Sequence, residues 1–214
     1  MEDNQLIENT PKPRTITSLT QDLKKVNIKS DSIILVHSSL SSIGWICGGS
    51  VAVIKALMNV IDKDKGTIVM PAFPSDHSDP SGWNNPPVPE SWYNTIKEEM
   101  PPFEPEITPA RGLGRIPELF RNWPGVLRSD HPSMSFAAWG KMAERIVKDH
   151  EIEYSLGENS PLADLYDLEA NVLMIGVGYE NNTSFHLGEY RSGTAEVTIE
   201  GAPVKRKGEN IWKE

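Results

Sequence analysis

Residues 32–70 read SIILVHSSLSSIGWICGGSVAVIKALMNVIDKDKGTIVM, and this stretch decides the fold class. Its first five residues, Ser32 to Val36, are compact, apolar and β-branched, which is the pattern of a buried strand. A glycine-rich turn follows, carrying Gly44, Gly48 and Gly49. From 50 to 61 the apolar residues fall at Val51, Ile54, Leu57, Met58 and Ile61. That spacing puts them on one helix face, with Ser50 as the expected N-cap. Residues 66–70 give a second strand, stopped by Pro71. Strand, turn, helix and strand in that order make the unit of a layered α/β fold.

Outward from this unit the pattern changes. More than half of the 17 prolines fall between Pro71 and Pro109, with Trp83, Trp92 and Phe103 among them. Regular structure cannot run through such a segment, yet it is too aromatic for a solvated linker. We expect a long insertion at about 71–110, with a short helix near 92–100, folded over the body. It is either a lid or binding loop or a structural arm or dimer contact. Further along, helices are expected at 117–123 and 141–148 with an apolar run at 135–138 between them. Residues 171–177 (NVLMIGV) are the clearest buried strand, followed by a helix from the 181–184 segment to Tyr190. Residues 194–199 alternate like an outer strand, and the polar tail 205–214 gives no sign of completing a fold.

Length and composition exclude several classes. The 214 residues are 38% hydrophobic and 24% charged, enough for one globular domain spanning 1–214 that buries about 70% of its unfolded surface. The formal net charge of −9 opposes binding to a phosphate backbone, so no nucleic-acid partner is expected. A single cysteine, Cys47, rules out an internal disulfide framework and a cysteine-based zinc cluster, and we read it as a small buried thiol. The N-terminus lacks the basic and apolar regions of a signal peptide, and no apolar run is long enough to span a bilayer. A cytoplasmic protein without a membrane partner is expected; a homo-oligomer is compatible with the sequence.

Three constellations carry candidate chemistry. His186 and Glu189 are three apart in an expected helix just past a buried strand, so imidazole and carboxylate share one face. A carboxylate raises the basicity of a histidine and orients it, as a general base requires; the same spacing also occurs on surface helices. Ligands in open α/β sheets sit beyond the carboxyl ends of strands, where this pair lies. The second constellation is His37, Ser38, Ser39 and Leu40 at the end of the first strand. Its hydroxyls and free backbone N–H groups suit the phosphate or amide groups of a cofactor, or else form an ordinary polar turn. The third runs from Arg128 to His131 and on to Ser135. Arg128 there is either a phosphate partner or half of a structural pair with Asp130. His150, among charged neighbours at a helix end, reads as solvated. Asp76, His77 and Asp79 have metal-ligand side chains but no second cluster, so no metal is expected. The serine in Gly48-Gly49-Ser50-Val51-Ala52 is not on a nucleophile elbow.

Five stretches in order resemble the aminoglycoside N(3)-acetyltransferase family, which is distinct from the GNAT fold. They are VHSSLSSIGWICGG at 36–49, GTIVMPAF at 66–73, RSDHPSMSFAAWG at 128–140, GENSPLADLY at 157–166 and VLMIGVGYENNTSFHLGEYR at 172–191. The loop DPSGWNNPPVPESW at 79–92 is similar to Bacillus-type members. The resemblance implies a three-layer α/β sandwich with a mixed central sheet. It implies transfer of an acetyl group from acetyl-CoA, with no metal, to the 3-amino group of a 2-deoxystreptamine aminoglycoside, a polycationic amine. It implies His186 as general base, Glu189 as the carboxylate on its helix, and residues 37–40 and Ser135 on the CoA side. Asn182 and Glu158 are implied on the substrate side. Many members carry arginine where this chain has Ser41, which leaves Arg128 as a candidate for the missing phosphate contact. Members also continue past the equivalent of Glu214, so the C-terminal part of the family domain is expected to be absent. Acetylation of another amine and an inactive CoA-binding homologue are the alternative readings.

Overall fold

The computed structural model describes residues 3–196, 198–206 and 208–213. Two helices, α1 (Asp3–Glu8) and α2 (Ile16–Lys25), lead to β1 (Ile33–Ser38), α3 (Gly49–Val60) and β2 (Thr67–Pro71). Within the insertion lies α4 (Tyr93–Glu99), and after it come α5 (Arg115–Arg121), β3 (Leu127–Arg128) and β4 (Phe136–Gly140). Then follow α6 (Ala143–Lys148), α7 (Pro161–Asp167), β5 (Asn171–Ile175), α8 (Phe185–Ser192) and the strands β6 (Ala202–Arg206) and β7 (Glu209–Lys213). No described helix is long and apolar enough to cross a membrane.

Five strands form one mixed sheet in the order β3-β4-β2-β1-β5. β1 runs parallel to both β2 and β5, while β4 is antiparallel to β2 and to β3. The period-2 alternation of a strand splits the side chains between two cores. Ile34, Val36, Ile68, Met70 and Ala137 pack with Leu23 of α2, the apolar face of α3, and Ile116 and Phe120 of α5. Leu35, Val69, Phe136 and Ala138 pack on the other face with Ile146 of α6, Leu162 and Leu165 of α7 and Leu187 of α8. A helix layer on each face of a mixed sheet is the three-layer α/β architecture. It explains why Ile34 to Val36 of β1 and Ile68 to Met70 of β2 are all apolar: a strand covered on both sides has no solvent face. Each fully buried leucine or isoleucine contributes roughly 1.5–3 kcal/mol.

Several local expectations are corrected. The N-cap of α3 is Gly48, at φ +90°, and Ser50 sits inside the first turn. A left-handed residue is needed to turn the chain from the loop into the helix, and glycine adopts it without Cβ strain. β5 is an edge strand, and its first two residues are exposed rather than buried. Residues 194–196 and 198–200 form no strand, and Val197 lies outside the described residues. Conversely the tail does build structure: β6 and β7 pair as an antiparallel hairpin with Val204 opposite Ile211. The hairpin joins the insertion, since Phe103 N–H donates to Pro203 O at 3.2 Å and Lys97 lies 5.4 Å above the Trp212 ring. Cys47 is exposed, not buried.

Candidate active site

The two connections leaving β1 and β5 diverge, α3 lying on one face of the sheet and α8 on the other. A crevice opens where neighbouring connections part. It is a cleft of about 610 Å³. Its floor is the carboxyl end of β1 (His37, Ser38) with Pro71 of β2, and its rear wall is the turn of Ser39, Leu40 and Ser41. Ser39 N–H donates to Ile175 O at 3.0 Å, which ties that turn to β5. Gly176 makes the tie fit: at φ +71°, its added Cβ would stand 2.9 Å from Ser42 Cβ and 3.2 Å from Ser39 O. Residues 112–117 form the opposite wall, and Val177, Asn181 and Thr183 form the third.

Two polar atoms at this floor are left over. His37 Nε2 and Ser38 Oγ are buried without a hydrogen-bond partner among the described residues. Burial pushes the His37 imidazole down to about 4, so the ring is neutral at pH 7. A buried polar group without a partner costs roughly 1–3 kcal/mol, so such a pair in a cleft wall fits a ligand that brings hydrogen-bonding groups.

His186 and Glu189 form a dyad on α8, with Nδ1 2.8 Å from Oε2 and both side chains half-exposed. Donation of Nδ1–H to the carboxylate leaves Nε2 with a lone pair and no partner among the described residues. The dyad stands at the rim rather than in the wall. The wall reaches Thr183, whose carbonyl accepts the His186 N–H at 3.2 Å. Asn182 is turned to another task, its Oδ1 accepting from Ser184 N–H at 3.1 Å and Ser184 Oγ at 2.7 Å. Its neighbours Asn181 and Thr183 line the cleft instead.

Three expected site residues are engaged elsewhere. Arg128 is largely buried and donates to the carbonyls of Ala72, Pro105 and Thr108 and to Ser135 Oγ. Its guanidinium lies 4.9 Å from the Phe103 ring centre, and burial lowers its pKa only to about 10, so it stays charged. With four donors used, it binds the insertion to the sheet and has no free fork for a phosphate. Ser135 is fully buried and donates to Ala72 O at 2.8 Å. Glu158 is held by Arg191 through contacts of 2.7 and 2.9 Å, and these hydrogen bonds keep its carboxyl below the usual range. None of the three lines the cleft.

Of the remaining histidines, His150 differs from expectation. His150 is buried: Ser129 Oγ accepts the Phe136 N–H and donates to His150 Nδ1, while His150 Nε2 reaches Ser155 O. His131 Nδ1 accepts from the N–H groups of Ser133 and Met134, and its Nε2 donates to Ile152 O. Asp76 is paired with Arg111, Asp79 with Lys97, and His77 Nε2 bonds Pro101 O at 2.9 Å. Sequence reasoning missed the wall at 112–117. The signal was Gly112-Leu113-Gly114 directly before a helix, hidden by starting that helix at Pro117.

A family model described as aminoglycoside 3-N-acetyltransferase matches residues 35–214. The SPbeta prophage-derived aminoglycoside N(3')-acetyltransferase-like protein YokD of Bacillus subtilis (strain 168) is 49% identical over 210 residues, covering 98% of this chain and 77% of that protein. The YokD crystal structure superposes with a TM-score of 0.91 over 98% of this chain and 78% of that one. AAC-IIIb, solved as a binary complex with CoASH, is 31% identical with a TM-score of 0.77, covering 94% and 75% of the two chains. AAC-VIa, solved bound to sisomicin, is 27% identical with a TM-score of 0.79 over the same shares.

Proposed function

Because the chain belongs to the aminoglycoside 3-N-acetyltransferase family, we propose that it transfers an acetyl group from acetyl-CoA to an aminoglycoside amine with His186 as general base. Residues 1–214 are read here as one acetyltransferase domain. Acetyl-CoA supplies an acyl group activated as a thioester. The cleft suits such a donor, since His37 Nε2 and Ser38 Oγ wait there unpartnered and the hydroxyls of Ser39 and Ser41 stand beside them. The relative AAC-IIIb was solved with CoASH and AAC-VIa with sisomicin, which supports both substrate classes.

An amine attacks a carbonyl carbon only when its nitrogen lone pair is free, and at pH 7 most aminoglycoside amines are protonated. His186 Nε2 removes the proton as the C–N bond forms, while Glu189 holds Nδ1–H and steadies the imidazolium. The amine gives up its ammonium proton to solvent before attack; the C–S bond breaks, the proton taken up by His186 passes to the departing thiolate so that CoA leaves as the thiol, and the amine leaves as the acetamide. The observation that carries this reading is the 2.8 Å Nδ1–Oε2 contact, one turn from Thr183 in the cleft wall. Thiol release from acetyl-CoA with a panel of aminoglycosides tests it. Release should require the aminoglycoside, and His186→Ala should lower kcat by at least about 10²-fold while CoA still binds. Full turnover in that variant refutes the base assignment. One observation favours a second acceptor class: Glu158, expected to meet a polycation, is neutralised by Arg191. A simpler monoamine in the panel tests that reading.

A further inference from the structure

The chain carries a net charge of −9, yet among the described residues no carboxylate lines the cleft and Arg115 is the one charged residue that does. Arg115 opens α5 at the end of the 112–117 wall, exposed, and its guanidinium has no hydrogen-bond or ion-pair partner among the described residues. The carboxylate best placed to neutralise it is Glu118, one turn on, and Glu118 is already taken. It accepts from Arg121 at 2.6 and 2.8 Å and from the Ala110 N–H at 2.7 Å. The wall itself is pinned at its start. Arg111 N–H donates to Phe73 O at 2.9 Å, Ser75 Oγ donates to Arg111 O at 2.7 Å, and the Arg111 side chain pairs with Asp76. Gly112 at φ +81° and Gly114 at φ +87° then bend the backbone along the cleft and deliver Arg115 to it. The same cleft is lined by the hydroxyls of Ser38, Ser39 and Ser41, with Ser38 Oγ buried and unpartnered, and by the neutral His37, which is nine-tenths buried with Nε2 unpartnered.

A free guanidinium and a row of hydroxyls, with no carboxylate among the described lining residues, make an anion site inside an anionic protein. We propose that Arg115 holds a phosphate group of the CoA moiety, filling the role that Ser41 cannot and that Arg128, consumed by carbonyls, does not. The inference rests on the acetyl-CoA reading above. Arginine suits the task because its fork can meet two phosphate oxygens at once. It also sets a division of labour along the cleft. The phosphate end is gripped from the 112–117 wall, and the dyad at the α8 rim is left for the reacting end.

Calorimetric titration of the full chain with CoA, dephospho-CoA and pantetheine tests this without turnover. Arg115→Ala should weaken CoA binding about 10- to 100-fold and flatten its salt dependence, while pantetheine binds as to the wild type. Arg115→Lys should fall between. If dephospho-CoA loses as much as CoA, the contact is to the diphosphate; if it loses nothing, the contact is to the ribose phosphate. Either result supports the assignment. Lys24→Ala, remote on α2, controls for net charge, and thermal melting confirms that each variant folds. Wild-type CoA affinity in Arg115→Ala, an equal loss with pantetheine, or an equal loss in Lys24→Ala overturns the role of Arg115 and leaves the acetyltransferase reading standing. Failure of the wild type itself to bind CoA overturns both.

Discussion

Two histidine sites in this molecule are built on opposite rules. At the back of the sheet, His131 and His150 stack with ring centres 4.4 Å apart, and all four ring nitrogens have partners. At the cleft, His37 keeps Nε2 unpartnered in a buried wall, and His186 keeps Nε2 free at the rim while Nδ1 is anchored to Glu189. The residue type is the same, and the difference is in unspent valence. In the buried pair the nitrogen that could take a proton already accepts from a protein donor, so protonation would break a bond already made. A histidine with one nitrogen fixed and one free is oriented and still able to take a proton or meet a ligand. By this criterion the buried pair is a strut, while His37 and His186 keep a nitrogen available for a ligand or a proton.

The sharpest way to break the comparison is to remove one ring from each side. His186→Ala should lower kcat by at least about 10²-fold, with unfolding free energy unchanged within about 0.5 kcal/mol because a half-exposed surface ring is lost. His150→Ala should do the reverse. It leaves Ser129 Oγ and Ser155 O without their partner and a void beside His131 and Phe136. A loss of about 2–4 kcal/mol in chemical denaturation is expected, with kcat per folded molecule near the wild-type value. Equal loss of activity in both variants would erase the distinction.

Acid titration sharpens the same contrast with a smaller effect. Burial pushes His131 down to about 4 and His150 to about 3, the latter helped by repulsion from His131. Both folded values lie below the unfolded value near 6.5, so the unfolded chain binds more protons below that pH. Stability from the pair is therefore complete above about pH 6.5 and falls as pH drops towards 4, by roughly 1.4 kcal/mol per pH unit for each ring. Asp130, whose carboxyl is raised chiefly by burial, works with the opposite sign within the carboxylate range. Replacing His150 by Gln should flatten the decline between pH 6.5 and 4. An unchanged slope would mean that other groups control acid unfolding.

This contrast also shows what the sequence could and could not disclose. β1, α3 and β2 were legible because their signals are local: β-branched runs and helical spacing within 40 residues. The His186–Glu189 dyad was legible for the same reason, as a three-residue interval on one helix. What stayed hidden depends on distant groups. Arg128 looked free because its neighbours in sequence offer it nothing decisive, whereas its partners Ala72, Pro105 and Thr108 lie 20 to 56 residues away. His150, beside Asp149 and Glu151, looked solvated until Ser129 came to it from β3's end. The β6–β7 hairpin reads as polar tail because what ties it down is distant in sequence: the Phe103 N–H of the insertion donates to Pro203 O, and Lys97 lies over the Trp212 ring. Edge position is equally invisible: NVLMIGV describes a strand, but nothing in it says that only one neighbour covers it.

The smallest expected effect follows from extending the rule of unspent valence to a carboxylate. Glu158 carries a full charge near α8, and charge alone would make it a natural contact for a cationic acceptor. Its two oxygens, however, each take a hydrogen bond from Arg191, whose guanidinium is also stacked 4.3 Å from the Tyr166 ring centre. To meet an amine, Glu158 would have to release a bidentate partner already in place, and the exchange gains little where water screens both charges. Glu158→Gln should therefore shift the KM for an aminoglycoside by less than about twofold. Arg191→Ala, which frees the carboxylate, should lower that KM instead. A large rise in KM with Glu158→Gln alone would show that the ion pair opens for substrate, and that satisfied valence in the free protein does not separate structural groups from working ones at this rim.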